Sequence, residues 1–466
     1  MGDRSQFDVV VIGGGPAGET AAGRCADGGL RVALVERELV GGECSYWGCI
    51  PSKTLIRPGD VIAAARRVPG AAQAVTGSVD ADAAFARRDY MTSAWNDSGQ
   101  LPWLDEKGIA LVRGRGRLMG ERLVEVEAAD GTTRSLAATR AVVLATGTSS
   151  AIPPIDGLRE ANAWDNRSIT SAKDVPRRLL VLGGGAVGAE MAQAFRRLGS
   201  EEVAIVEGAD RLLPREEPFA GEEVRAGFEA EGITVITGTK VVAVRRAGAD
   251  GPVTANLENG RSLTGDEILV AVGRRPSTVD VGLEHVGLEP GRFVAVDDRL
   301  RAVGVADGWL YAVGDCNGRV LLTHMGKYQA RIAGDVILGR GTVDIASGGV
   351  VPRVTFTDPQ VCAVGPTAAE AVAEGYDVRV VQYPTGKVPG AYTMGERVAG
   401  TSQLVIDAEH RVVVGATFTG PGMQVLLHSA TVAIAGRVPL ERLWHAVPSF
   451  PTVSEVWLHL LETYGL

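Results

Sequence analysis

Short apolar runs, each stopped by a cluster of glycines, recur along this chain of 466 residues. The first, Phe7-Asp8-Val9-Val10-Val11-Ile12, suits a strand buried on both faces. It halts at Gly13-Gly14-Gly15-Pro16-Ala17-Gly18, and Glu19 to Asp27 then has helical character. Arg31 to Val35 predicts a second strand, which ends at Glu36. The unit repeats: Arg178 to Leu182 as strand, Gly183-Gly184-Gly185-Ala186-Val187-Gly188 as turn, Ala189 to Leu198 as helix. Val203 to Val206 is the strand that follows, ending at Glu207.

Strand, glycine turn, helix and a second strand ending in an acid make up a dinucleotide-binding fingerprint with its flanks in place. In the first copy Gly13 makes the turn, Gly15 lets backbone approach a pyrophosphate, and Gly18 lets helix and strand pack closely. Free N–H groups at the helix start face the phosphates, and Glu36 can accept from ribose hydroxyls. Gly183, Gly185, Gly188 and Glu207 repeat those roles. A carboxylate at Glu207 repels a 2′-phosphate, which argues for NAD over NADP, although Arg211 lies near in sequence.

Between the modules, Ala141 to Leu144 predicts a strand closed by Ala145-Thr146-Gly147-Thr148, and Pro153-Pro154 marks a boundary. Similar closures are Ile268 to Pro276, through Gly273, and Leu310 to Asp315, through Gly314. Past about residue 346 the texture changes: Val350 to Phe356, Val378 to Tyr383 and Arg411 to Phe418 read as strands between turns. Helices are expected at Gln424 to Ala435 and Val453 to Thr463. The pattern is that of two α/β domains followed by an α+β domain.

Composition narrows the function classes. A net charge of −9 and a pI near 5.4 give no broad basic footprint, so nucleic acid is not an expected partner. There is no apolar run of 18 residues for a membrane span and no secretory signal, so the expected location is the cytoplasm. Five cysteines in so long a chain are not a disulfide framework. A close pair in a reducing compartment is catalytic, redox-sensing or metal-binding. No metal site is expected, because neither a second cysteine pair nor clustered histidines accompany it.

That pair lies in Gly41-Gly42-Glu43-Cys44-Ser45-Tyr46-Trp47-Gly48-Cys49-Ile50-Pro51-Ser52-Lys53. On a straight helix a five-residue offset leaves side chains about 140° and roughly 7.5 Å apart. A disulfide needs Cα atoms within about 4.4–6.8 Å, so joining them requires a non-helical turn, which Gly48 can supply. Two unrelated buried thiols are the plain alternative.

The G-G-x-C-x4-C-I-P-S-K block, both fingerprints, A-T-G, G-R-R-P, G-D and the C-terminal P-T-x-S-E resemble the FAD-dependent pyridine nucleotide–disulfide oxidoreductases, dihydrolipoamide dehydrogenase above all. The resemblance covers essentially the whole chain in the same order. It implies an FAD-binding domain at 1–150, an NAD-binding domain at 151–275, a central segment at 276–345 returning to the FAD domain, and a dimerisation domain at 346–466 that forms a homodimer. The implied fold class is therefore two Rossmann-like dinucleotide-binding domains plus a C-terminal α+β domain.

By the same resemblance Gly13, Gly15, Gly18, Glu36, Gly42, Gly116 and Gly147 would contact FAD, and Gly314-Asp315 would hold its ribityl chain. Leu322 and Thr323 would start a helix beneath the flavin, where reduced flavin carries negative charge. Gly183, Gly185, Gly188, Glu207 and Gly273 would bind NAD, and Lys53 with Glu190 would form the ion pair near flavin N5. Cys49 would face the flavin, and Cys44 would exchange with a small-molecule disulfide, dithiol or other acceptor.

One position departs from the pattern. Relatives acting on dithiols carry a histidine just before P-T, paired with the following glutamate. Here Phe450 precedes Pro451-Thr452, and Glu455 lacks that partner. Aligned on His445-Ala446 instead, three extra residues separate that pair from Pro451; His445 could swing in, and an exposed or capped histidine is the plain alternative. An aromatic residue there resembles soluble transhydrogenases and mercuric reductases, but no cysteine follows Cys362 to supply the latter's C-terminal pair. Three readings follow: a dihydrolipoamide dehydrogenase-like enzyme lacking its base, a transhydrogenase- or quinone reductase-like enzyme using the flavin directly, and a flavoprotein redox sensor.

Overall fold

The computed structural model describes residues 4–466 and divides into two compact units. The first comprises the chain up to Pro51, Asp89–Ala151 and Gly273–Gly348; the second comprises Ser52–Arg88, Ile152–Val272 and Gly349–Leu466.

In the first unit, strand Arg4–Ile12 lies parallel between Val32–Glu36 and Thr133–Leu144, with Ala110–Arg113 beyond Val32–Glu36. Leu310–Ala312 adds in parallel to Thr133–Leu144, and the antiparallel strands Leu123–Glu127 and Arg115–Gly120 complete a seven-stranded sheet. Val9, Val10 and Val11 are fully buried, as a run apolar on both faces requires. The helix Pro16–Asp27 starts one turn earlier than the pattern suggested, because Pro16 sits at its first position, where no backbone donor is needed. Gly18 fits a close approach: a Cβ there would stand 1.8 Å from the Gly13 carbonyl oxygen. This helix packs on Thr323–Ile337 and is tied to it by Arg24 Nε donating to Asp335 at 2.8 Å.

The second unit repeats the scheme in a four-stranded parallel sheet, ordered Ile233–Ile236, Glu202–Val206, Arg178–Leu182, Glu267–Val270. Its fingerprint helix is Ala186–Leu198, and a three-stranded antiparallel sheet spans Val241–Gly265. Residues after Gly349 form a five-stranded antiparallel sheet covered by Gln424–Ala435 and Val456–Tyr464. The segment expected as a strand from Val350 shortens to Arg353–Thr355, since the Phe356 and Asp358 N–H groups bond to Glu190 and Gln193 side chains instead of a sheet neighbour. The last helix also starts later than expected, after a 3-10 turn at Val453–Glu455. Among the described residues no helix is long and apolar enough to cross a membrane.

Candidate active site

The cysteine block folds as two helices with a break. Gly41 and Gly42, at φ +111° and +58°, turn the chain into Gly42–Tyr46; Trp47 and Gly48 end that helix, and Cys49 opens the next, Cys49–Arg66. Gly48 serves by its size: a Cβ on it would stand 3.1 Å from the Glu43 carbonyl oxygen and 3.3 Å from Cys44 Cα. The break brings the thiols of Cys44 and Cys49 into hydrogen-bond contact, both beside Thr323, whose Oγ1 is 3.5 Å from Cys49 Sγ. No disulfide joins the two cysteines here. The hydrogen bond to Cys49, and secondly burial, push the Cys44 thiol well above its ordinary range. Thr323 opens the 15-residue helix Thr323–Ile337, and Leu322 is its extended N-cap, so backbone donors at its start are free of intrahelical partners.

Lys53 lies one turn along the helix from Cys49. Its Nζ donates to Glu190 Oε2 at 2.7 Å and stands 4.8 Å from the Phe356 ring centroid. Glu190 is 4% exposed, and its Oε1 accepts the Phe356 N–H at 2.9 Å. The sequence did not point to Phe356; no motif marks a residue that acts through its main chain.

Around the first fingerprint, Glu36 accepts the Gly14 and Glu38 N–H groups at 2.5 and 2.7 Å, which holds the carboxylate at the strand end. Glu207 accepts from Gly184 and Ala209 at 2.6 and 2.8 Å, the same geometry in the second unit. Asp315 Oδ2 accepts the Thr148 hydroxyl at 2.7 Å; burial raises this carboxyl above its ordinary value, against Thr148 and Arg274. Arg274 donates to Thr148 Oγ1 at 2.6 Å and reaches Glu43, beside Cys44, at 3.7 Å. Gly314 donates its N–H to Gln329, and Gly116 is packed over Val35 and Ile12. Arg274, from the G-R-R-P motif, was legible as a motif but not as the link between Asp315 and Glu43.

The residues present fit FAD and a nicotinamide dinucleotide. A Cβ on Gly147, Gly185 or Gly273 would meet nothing within 4 Å, and one on Gly15 only the Gly42 backbone at 3.9 Å. The middle fingerprint glycines, Gly15 and Gly185, thus face open volume at the start of a helix, which is where phosphates bind. Glu455 is buried, and its Oε2 has no hydrogen-bond partner among the described residues. Phe450 is 74% exposed, and His445 is also exposed. Cys25, Cys316 and Cys362 are fully buried packing residues; burial pushes Cys316 up to about 11 and the other two up to about 12.

Comparison with known proteins agrees with this arrangement. Residues 7–330 match the model of the pyridine nucleotide-disulphide oxidoreductases, and residues 351–461 match that family's dimerisation domain, which supports a homodimer. A mercuric reductase of Staphylococcus aureus is 30% identical over 456 residues, covering 96% of this chain and 81% of that one. A dihydrolipoyl dehydrogenase of Mycobacterium tuberculosis is 31% identical over 459 residues, covering 97% and 96%. Among solved structures, the HOCl-induced flavoprotein disulfide reductase RclA of Escherichia coli superposes with a TM-score of 0.85 at 26% identity, covering 98% of this chain and 99% of that one. By sequence and by fold, then, this chain belongs to the pyridine nucleotide-disulphide oxidoreductase family and is a flavoenzyme that works with FAD and NAD.

Proposed function

We propose that the enzyme passes electrons between NADH and a small-molecule disulfide or dithiol through the Cys44–Cys49 pair, in the manner of dihydrolipoamide dehydrogenase but without its histidine base. The observation that carries this reading is the contact of the two thiols beside Thr323. Bound FAD would supply the two-electron relay between NADH and the protein disulfide. Overall, NADH, a proton and a disulfide give NAD⁺ and two thiols.

In this reading Gly13, Gly15, Gly18, Glu36 and Gly42 hold the FAD pyrophosphate and ribose, with Gly116, Gly147, Gly314 and Asp315 along its remaining length. Leu322 and Thr323 present helix-start donors to the reduced ring. Gly183, Gly185, Gly188, Glu207 and Gly273 hold NAD. Lys53 and Glu190 order the place where hydride arrives. The FAD domain takes residues 1–150 and 276–345, the NAD domain 151–275 and the dimerisation domain 346–466.

In the reduced pair the hydrogen bond to Cys49, and then burial, hold the proton on Cys44. Attack on a substrate disulfide needs the Cys44 thiolate, and Phe450 cannot remove that proton. The rate of NADH-dependent disulfide reduction by the holoenzyme is therefore expected to climb with pH between 7 and 9, approaching roughly tenfold per unit while this step limits. Initial rates with lipoamide at saturating NADH check this; a maximum near pH 7 would contradict it. A second reading, electron delivery from the flavin straight to a quinone or another nicotinamide, is favoured by one observation, the exposed phenyl ring at position 450.

A further inference from the structure

Glu190, Gln193 and Arg197 occur three and four residues apart on the helix Ala186–Leu198, so their side chains form one stripe. The whole stripe grips a single loop, Phe356 to Pro359. Glu190 Oε1 accepts the Phe356 N–H at 2.9 Å. Gln193 binds the Asp358 main chain on both sides: its Oε1 accepts the N–H at 2.8 Å, and its Nε2 donates to the carbonyl at 3.0 Å. Arg197 donates to the Asp358 carboxylate at 2.8 Å, to Glu231 at 2.6 and 2.9 Å, and to Asp60 at 3.0 Å. Arg67 pairs with Asp358 as well. Burial opposes charge on Asp358, yet the Arg197 and Arg67 guanidiniums hold its carboxyl below its ordinary value.

This clasp determines what Glu190 can do. One oxygen takes the Lys53 ammonium; the other is fixed by the loop's first N–H, and the Phe356 ring lies against the same ammonium. Were the loop to move, a buried carboxylate would lose a hydrogen bond that favours its charged form, and the cation would lose its aromatic neighbour.

We propose that Gln193 and Arg197 are positioning residues, which hold the Phe356–Pro359 loop so that Glu190 and Lys53 stay in register for hydride transfer. This rests on the reading that Lys53 and Glu190 serve that step.

The test compares holoenzyme carrying Gln193→Met or Arg197→Lys with the wild type. Glu223→Gln is the control, since its carboxylate accepts from Thr401 and Thr419 at a different place in the same unit. Amide exchange across residues 356–359 reports the clasp directly. Anaerobic stopped-flow reduction by NADH separates nicotinamide affinity from the limiting rate. Both variants are expected to exchange the loop amides faster and to lower the limiting rate roughly ten- to hundredfold, the scale of small misplacements. NADH affinity should hold, and Glu223→Gln should change none of these.

Faster loop exchange with an unaltered limiting rate would overturn the positioning role, and unaltered loop exchange would overturn the clasp. Arg197→Lys keeps the charge, so it supplies the answer if Gln193→Met fails to fold. Lys53→Met separates the two layers: a wild-type limiting rate in that variant defeats the reading of Lys53 and Glu190 itself.

Discussion

Cys44→Ser holoenzyme is expected to reduce lipoamide and other small disulfides more than about 10³-fold more slowly than the wild type, the order of loss when an obligatory nucleophile is deleted. A hydroxyl cannot form or break a sulfur–sulfur bond, and Cys49 alone has no partner with which to store an electron pair. Substitution of the half-buried Cys44 removes neither a fingerprint glycine nor the Lys53–Glu190 pair, so FAD content and NADH oxidation with a quinone acceptor should persist. Paired assays with lipoamide and a quinone therefore separate the two functional readings. Unchanged rates with every disulfide tested would exclude the dithiol route.

Phe450→His is expected to do the reverse, raising lipoamide turnover near neutral pH by roughly 10²-fold, the lower end of what a positioned base contributes. By the family resemblance Glu455 is the acceptor for such an imidazole, and it is buried with one carboxylate oxygen unpartnered among the described residues. A carboxylate there would fix the tautomer of the new ring and stabilise its protonated form. The steep rise with pH should flatten accordingly, with the optimum moving toward neutrality. Adding Glu455→Gln should remove most of the gain. Steady-state profiles of the single and double variants decide it; a Phe450→His enzyme indistinguishable from wild type would mean that proton removal from Cys44 does not limit turnover.

The parts of this fold legible in the sequence are those where backbone geometry leaves a short local signature. Gly13 and Gly18 had to be glycines because main chain passes against main chain, and the same holds at Gly183 and Gly188, where a Cβ on Gly188 would stand 1.9 Å from the Gly183 carbonyl oxygen. The cysteine block was readable for the same reason, although Gly48 turned out to serve by lacking a side chain; the positive φ values lie at Gly41 and Gly42.

Contacts distant in sequence left no such mark. Nothing in Ser52–Arg88 announces that it belongs to the second unit; contacts such as the Lys53–Glu190 and Asp60–Arg197 pairs, each 137 residues apart, show it. Phe356 and Asp358 bond to Glu190 and Gln193 through main-chain N–H groups, which carry no residue code, and a three-residue strand at Arg353–Thr355 is too short for alternation to reveal its limits. Glu455 was readable as a motif residue, but its unpartnered oxygen needed the packing around it.

Counting the electrons that the purified holoenzyme accepts from NADH under argon puts the working dithiol to the most direct proof. Uptake of four electrons per FAD, with a long-wavelength thiolate–flavin absorption appearing after the first two, is the result required by a Cys44–Cys49 disulfide in exchange with the cofactor. Saturation at two electrons per FAD, with no such band, would show that the sulfur pair stands outside the electron path.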